Sequence, residues 1–147
     1  TCRKYIVMMV DLKLKLVSKI DYEFLYELLK ERDDKMNISH KKMPTFNQHV
    51  KFVNSKPYSK WYVIVLNNQK IGSIYITQIN EIGIFLKKEF HKKGLGDKIL
   101  QLLMQMNPKD RYLANVNPQN KKSIDFFKKN GFNIIQHTYE LTIEKNK

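Results

Sequence analysis

The sequence predicts an α+β domain with a mixed, mostly antiparallel central sheet of about seven strands, flanked by about four helices. Three strand-like runs follow one another between residues 61 and 86 with short turns between them, which is typical of an antiparallel meander. A strand–helix–strand succession follows and indicates a mixed sheet. The length of 147 residues suits one domain over 1–147, with 1–8 expected to be an extension or disordered.

The elements of the first half follow from hydrophobic periodicity and capping residues. Alternating apolar and polar residues over 12–16 predict a half-buried strand. Asp21 can cap a helix that carries one apolar stripe, and Thr45 can cap a second, shorter helix. Runs rich in β-forming residues then predict strands over 61–66, 71–79 and 82–86.

The second half alternates loops, helices and shorter strands. A glycine-bearing loop over 91–96 leads into a helix predicted over 97–107, and a strand is predicted over 111–116. Asn117 is predicted to be the N-cap of the next helix, and Gly131 to follow that helix at its C′ position. The last two strands are predicted over 132–135 and 139–143.

Composition restricts the class of protein. The net charge is +13, but the lysines are spread over every segment instead of forming one basic face, so nucleic acid is not an expected partner. Cys2 is the single cysteine, and no Cys/His cluster has zinc-ligand spacing, so neither a disulfide nor a metal site is expected. The longest apolar run, 6–10, is too short to span a bilayer. These features favour a cytoplasmic protein without a membrane partner.

The loop over 91–96 is a candidate anion site. Gly94 and Gly96 let backbone N–H groups turn inward together, and the following helix adds its own free N–H groups and the positive end of its dipole. Lys92, Lys93 and Lys98 add positive charge around the loop. The spacing is not that of a P-loop or of a dinucleotide fingerprint, but the arrangement suits a pyrophosphate.

Three segments match one family pattern in order. The loop reads HKKGLG over 91–96, where the pattern is Arg/Gln-x-x-Gly-x-Gly/Ala between a strand and a helix. NEIGI over 80–84 precedes the loop, and NKKSIDFFKKNGF over 120–132 follows it at the expected distance. In these segments the chain resembles the GNAT acetyltransferases. The resemblance implies the GNAT-like fold and transfer of an acetyl group from acetyl-CoA to a primary amine.

The resemblance also implies which residues contact acetyl-CoA, the expected co-substrate. The backbone around 84–86 would pair with the pantetheine arm like an extra strand, and backbone amides over 92–97 would bind the pyrophosphate. Asn120 and Ser123 would touch the arm or the phosphates, and Phe127 would lie near the thioester. The expected contacts are Ile84, Phe85, Leu86, His91, Lys92, Lys93, Gly94, Leu95, Gly96, Asp97, Asn120, Ser123 and Phe127.

Two positions depart from the family pattern. His91 stands where the family usually has Arg or Gln, and this difference is expected to weaken the ordering of the loop while the binding amides remain. Phe127 stands where many relatives have the Tyr that protonates the departing thiolate. Another group is therefore needed as the proton donor.

Candidate catalytic residues follow from the proton transfers that amide formation requires. Glu81 at the start of the fourth strand is the first candidate for the base that takes the amine proton, and His40 is the second. Tyr139 in the predicted last strand is the first candidate for the donor to the thiolate. Tyr62 and Tyr75 are alternatives for this donor, as is solvent.

The acceptor stays open at this level. Residues 44–53 and the pair Trp61-Tyr62 look similar to acceptor-side elements of GNAT enzymes that act on amino sugars and ribosomal-protein N-termini. The positive charge favours an anionic acceptor such as a nucleotide-linked amino sugar over a polyamine. Another small amine and a protein N-terminus remain alternatives, as do a non-catalytic nucleic-acid-binding module and an acyl-CoA sensor. A homodimer is compatible with the resemblance.

Overall fold

The computed structural model describes residues 11–32, 42–91 and 93–144. This part of the chain contains four strands and four helices, with short 3-10 turns at Lys19–Asp21 and Lys88–Phe90. The elements in chain order are β1 (Leu12–Leu16), α1 (Tyr22–Glu31), α2 (Phe46–Asn54), β2 (Lys60–Leu66), β3 (Gln69–Ile76), β4 (Ile82–Leu86), α3 (Leu95–Met106) and α4 (Lys121–Lys129).

The four strands form one antiparallel sheet in the order β1-β2-β3-β4. Asn67 and Asn68 join β2 to β3 and both have positive φ, 49° and 67°, which is the backbone that a tight hairpin needs and that asparagine tolerates. The predicted meander is therefore present, and β4 keeps the bounds predicted for it, 82–86.

The sheet has helices on both faces. Because neighbouring strand residues point to opposite faces, Ile64 packs with Ile99 and Leu103 of α3, whereas Val63 packs with Leu25 of α1 and Val53 of α2. These side chains are buried and form two separate apolar clusters. Within the ranges that the structure describes, no helix is long and apolar enough to cross a membrane.

The helix starts show which capping predictions hold. Thr45 caps α2 as predicted, because its hydroxyl accepts a hydrogen bond from the Gln48 amide at 3.2 Å. The prediction for α4 was three residues early. Asn117 instead forms a turn in which its side-chain oxygen accepts from the Gln119 amide at 2.9 Å, and Asn120 caps the helix. Gly131 follows α4 with a φ of 90°, as predicted for its C′ position.

The sheet has four strands in the described residues instead of about seven. The segment 111–116 makes one isolated parallel bridge, between Leu113 and Glu81, and the segments 132–135 and 139–143 form no strand. Alternating apolar residues favour a strand, but a strand also needs a partner edge for its backbone hydrogen bonds. The α+β fold class is confirmed, whereas the three additional strands are wrong.

Candidate active site

The outer edge of β4 is the side that faces away from β3. Its backbone pairing with the segment around Leu113 ends beside Ile82. The Ile82 amide donates to the Leu113 carbonyl at 2.8 Å, and the Leu113 amide donates to the Asn80 carbonyl at 2.9 Å. This pairing ends at that bridge. Because strand backbone groups alternate in direction, Ile84 and Leu86 also point their amides and carbonyls to this outer side. Phe85 turns its backbone toward β3 and contributes its ring to the cleft.

His91 fixes the turn that follows β4. Its Nε2 lies 2.8 Å from the Leu86 carbonyl oxygen. A carbonyl can only accept, so this ring nitrogen carries the hydrogen and donates. The 3-10 turn over Lys88–Phe90 is thereby held against the end of the strand. The residue that replaces the usual Arg or Gln thus orders the loop by a side-chain bond of its own.

The loop ends at the uncapped N-terminus of α3. Gly94 is the N-cap residue with a φ of 70°, and because it is glycine it offers no side chain to cap the helix. The first amides of a helix have no intrahelical acceptor and carry the positive end of its dipole. Lys93 lies nearby, with its Nζ 5.7 Å from the centre of the Phe90 ring. Lys92 lies outside the described residues.

The start of α3 is tied to the end of α4. A Cβ on Gly96 would lie 2.8 Å from the ring of Phe126, so glycine allows this close approach. The Asp97 carboxylate accepts a hydrogen bond from Asn130 Nδ2 at 3.0 Å and pairs with Lys129 Nζ at 3.1 Å. These hydrogen bonds hold the pKa of Asp97 below its usual value. The Asp97 side chain is therefore engaged within the protein.

The predicted residues of α4 also border the cleft. Asn120 and Ser123 meet at its first turn, where the Asn120 side chain accepts from the Ser123 amide at 3.2 Å. Phe127 is buried, with 8% of its surface exposed, and packs edge-on against Phe126 and Phe132. Phe127 therefore belongs to the apolar wall of the cleft.

Glu81 stands where the outer edge of β4 begins to open. Its carboxylate accepts hydrogen bonds from Asn115 Nδ2 and, at 3.5 Å, from Thr77 Oγ1. Its own amide donates to the same threonine hydroxyl at 3.0 Å. These contacts hold the carboxylate at the border of the cleft, beside the free edge of the strand.

Tyr75 reaches the same place from β3. It pairs with Gly83 across the strands, and a Cβ on that glycine would lie closer than 3.0 Å to the hydroxyl end of the Tyr75 ring. The ring also stacks on Tyr58, with 3.8 Å between the centroids. Burial raises the pKa of both phenols. Both side chains therefore carry their protons at neutral pH.

Arg32 is a cleft residue that the sequence analysis missed. It follows α1, and its Cζ lies 3.9 Å from the centre of the Phe85 ring. Burial lowers the pKa of the guanidinium below its usual value. Its position at a helix end looked unremarkable in the sequence. The signal in the sequence was the residue type itself, because only three of the 27 basic residues are arginine.

The structure does not assemble all predicted catalytic residues. Tyr139 lies away from the cleft and is 90% exposed. Tyr62 is buried in the core, where its hydroxyl accepts from Asn107 Nδ2 at 3.2 Å. His40 lies outside the described residues. Of the catalytic candidates, Glu81 and Tyr75 are therefore the pair that the described residues bring to one cleft.

The cleft that joins these features has a volume of about 1010 Å³. It runs from the open edge of β4 to the N-termini of α3 and α4 and reaches Arg32 and Tyr58 on the other side. Among the described lining residues, seven are Lys or Arg and four are Asp or Glu. The charge balance of the cleft is therefore positive.

Comparison with known proteins identifies the family. The acetyltransferase (GNAT) family model matches residues 22–132, which is more than half of the chain. No curated protein matches the chain in sequence.

Solved structures of low sequence identity share the fold. A domain from Methanocaldococcus jannaschii has a TM-score of 0.76 and 22% identity, over 89% of this chain and 94% of that one. The spermidine N-acetyltransferase of Vibrio cholerae, solved with CoA and spermine, has a TM-score of 0.75 and 17% identity, over 91% and 88%. A ribosomal-protein α-N-acetyltransferase in complex with coenzyme A has a TM-score of 0.64 and 20% identity, over 82% of this chain and 79% of that one. The chain belongs to the GNAT family of acetyltransferases, enzymes that take their acetyl group from acetyl-CoA.

Proposed function

We propose that this enzyme transfers the acetyl group directly to a primary amine at the open edge of β4. One observation carries the proposal: the outward backbone groups of Ile84, the Leu86 amide and the N-terminus of α3 lie in one cleft. The free edge can pair with an extended pantetheine arm as an added strand. The helix N-terminus suits a pyrophosphate. The residues present therefore fit acetyl-CoA.

Binding of the arm uses a limited set of backbone groups. The Leu86 carbonyl already accepts a hydrogen bond from His91, so the outer-edge groups that no described residue occupies are the Ile84 amide and carbonyl and the Leu86 amide. Asn120 and Ser123 lie across the cleft from this edge, at the start of α4, where they can contact the arm or the phosphates. Lys93 adds a cation beside the α3 N-terminus.

The chemistry requires two proton transfers, and the cleft has one group for each. Bound acetyl-CoA supplies a thioester carbonyl, and an amide N–H on the outer edge of β4 can donate to the carbonyl oxygen. Glu81 takes the proton that the amine loses as the C–N bond forms. Tyr75 donates its hydroxyl proton to the thiolate sulfur as the C–S bond breaks. Tyr75 takes the role first predicted for Tyr139, because it lies in the cleft.

The acceptor is proposed to carry negative charge. The positive balance of the cleft supports a nucleotide-linked amino sugar or another small anionic amine, and a protein N-terminus is a further candidate. The likeness to a spermidine acetyltransferase lies in the fold alone. A polyamine would meet a like charge at Arg32.

The test is release of CoA thiol from acetyl-CoA against nucleotide-linked amino sugars, amino acids, peptide N-termini, aminoglycosides and polyamines. We expect Glu81→Gln to lower kcat by about 100-fold or more, and Tyr75→Phe by about 10-fold or more, because general acid–base groups contribute about 10²–10⁴-fold. Neither variant should change the Kd of acetyl-CoA. Tyr139→Phe is the matched comparison and should keep wild-type turnover. A loss with Tyr139→Phe and none with Tyr75→Phe would reverse the assignment of the donor.

A further inference from the structure

Among the residues that the structure describes, none is an anionic partner of Arg32. None of the ion pairs among the described residues includes Arg32, and its Nε is buried without a hydrogen-bond partner. The neighbouring carboxylate of Glu31 is engaged elsewhere, because it accepts the Lys88 amide at 3.1 Å. The guanidinium contacts the Phe85 ring with one of its faces. This contact does not use the N–H groups at the edge of the guanidinium.

Arg32 is partly buried, and partial burial of a cation without an anionic partner among the described residues costs free energy that a bound anion would recover. The groups next to Arg32 are the phenols of Tyr58 and Tyr75, which are neutral at physiological pH and therefore do not compensate the charge. A guanidinium differs from an ammonium in its planar fork of donors, which matches the two oxygens of a carboxylate. Arginine is rare in this chain, with three among 27 basic residues, and its side chain at this position suits a planar anion better than a lysine would.

Glu81 carries the opposite charge and lines the same cleft as Arg32 and Tyr75. Arg32 contacts the Phe85 ring, whose centre lies 6.4 Å from the centre of the Tyr75 ring, and Glu81 lines the same cleft. A ligand placed over Tyr75 can therefore present an amine to Glu81 and an anionic group to Arg32. This arrangement is complementary to a short zwitterion.

We propose that Arg32 is a specificity residue that binds a carboxylate carried by the acceptor, so that the acceptor is an amine with a nearby carboxylate, such as an amino acid. The proposal rests on the proposed function in one respect, namely that Glu81 marks the place of the reacting amine. It narrows the acceptor from anionic amines in general to those whose negative charge lies a few bonds from the nitrogen.

The experiment compares α-amino acids with their own α-carboxamides, which keep the amine and the side chain and lose the charge. Two readouts are used: CoA release from acetyl-CoA, and calorimetric binding of the same compounds to the CoA-saturated protein. Wild-type enzyme should favour the acid by about 10- to 100-fold, the size of a charge-assisted hydrogen-bond pair. Arg32→Gln should raise KM for the acid by a similar factor, with little change for the carboxamide or in the Kd of acetyl-CoA.

The controls separate recognition from structure. Arg111→Gln removes an exposed arginine outside the cleft and should leave the acid-to-amide ratio unchanged. Arg32→Lys keeps the charge without the planar fork of donors, so it should keep part of the preference for the acid over the carboxamide. The ratio measured on wild-type enzyme needs no variant, so poor folding of Arg32→Gln would not remove the test.

The outcomes separate this proposal from the proposed function. Equal use of acids and carboxamides, or an equal loss for both in Arg32→Gln, overturns the role of Arg32 and leaves acetyl transfer standing. If only the nucleotide-linked amino sugars depend on Arg32, then Arg32 binds a pyrophosphate, and the proposal of a carboxylate is overturned. Binding of acids that depends on Arg32, with no CoA release for any amine, supports the carboxylate site and contradicts the proposed transfer.

Discussion

Replacing Gly83 with alanine tests whether this glycine exists to make room for the Tyr75 ring. A Cβ at position 83 would lie closer than 3.0 Å to two ring carbons of Tyr75 and to its hydroxyl oxygen, whereas carbon atoms pack at about 3.5–4.0 Å. The ring is also stacked on Tyr58, so it cannot move without disturbing a second side chain. Gly83 is not among the residues with positive φ, so alanine suits its backbone and the cost is steric.

The expected cost follows from two opposing terms. Overpacking of a close-packed site costs about 1–3 kcal/mol. Alanine also restricts the unfolded chain, which returns about 0.4–1 kcal/mol at a position with compatible backbone. We therefore expect Gly83→Ala to lower the free energy of unfolding by about 1–2 kcal/mol. Turnover should fall as well, because the Tyr75 hydroxyl would leave its place over the open strand.

A double-mutant cycle with Tyr75→Ala isolates this contact. Urea denaturation gives the free energy of unfolding for wild type, both single variants and the double variant. Once the ring is absent, the added methyl meets no obstacle from it, so Gly83→Ala should be neutral or stabilising in the Tyr75→Ala background. An equal loss of stability in both backgrounds would refute the steric argument and with it our explanation of the glycine in β4.

Two further predictions concern the start of α3. Gly94→Ala should cost about 1–2 kcal/mol of stability through its left-handed backbone and weaken acetyl-CoA binding, whereas Gly131→Ala, with the same strain outside the cleft, should cost stability alone. The Asp97 pKa is lowered by Asn130 and Lys129, so its stabilisation is present above the unfolded-state pKa of about 3.9 and is lost as pH falls through the folded value. Asp97→Asn should therefore be less stable than wild type at pH 7, and the gap measured by urea denaturation should narrow as the pH falls below about 3.9; a gap that widens in acid would contradict this.

Local signals in the sequence were sufficient for the elements that hold the cofactor loop. β4 could be bounded correctly because turn residues precede it and the glycine loop follows it. α2 could be placed because Thr45 and Gln48 form a reciprocal cap within four residues. The position of Gly94 before a helix was equally local. Each of these features is specified by residues that are close together in the chain.

The remaining features depend on residues that are distant in the chain. A strand over 111–116 was expected from its composition, yet only Leu113 pairs, because β4 and this segment separate after one bridge. Arg32 enters the cleft through its contact with Phe85, 53 positions later in the numbering, and periodicity within α1 carries no trace of that contact. Tyr75 was only an alternative to Tyr139 in the sequence, and its place opposite Gly83 at the cleft is what favours it in the structure.

The two departures from the family pattern have different structural consequences. At position 91 histidine keeps a loop-ordering role, because its ring reaches the Leu86 carbonyl directly. At position 127 phenylalanine cannot donate a proton, and its ring is enclosed by Phe126 and Phe132. If the donor is Tyr75, the proton reaches the thiolate from β3 instead of from α4. The donor then depends on Gly83, because the absence of a side chain there leaves space for the phenol. Gly83 and Tyr75 should then be needed together, whereas position 127 needs only an apolar ring.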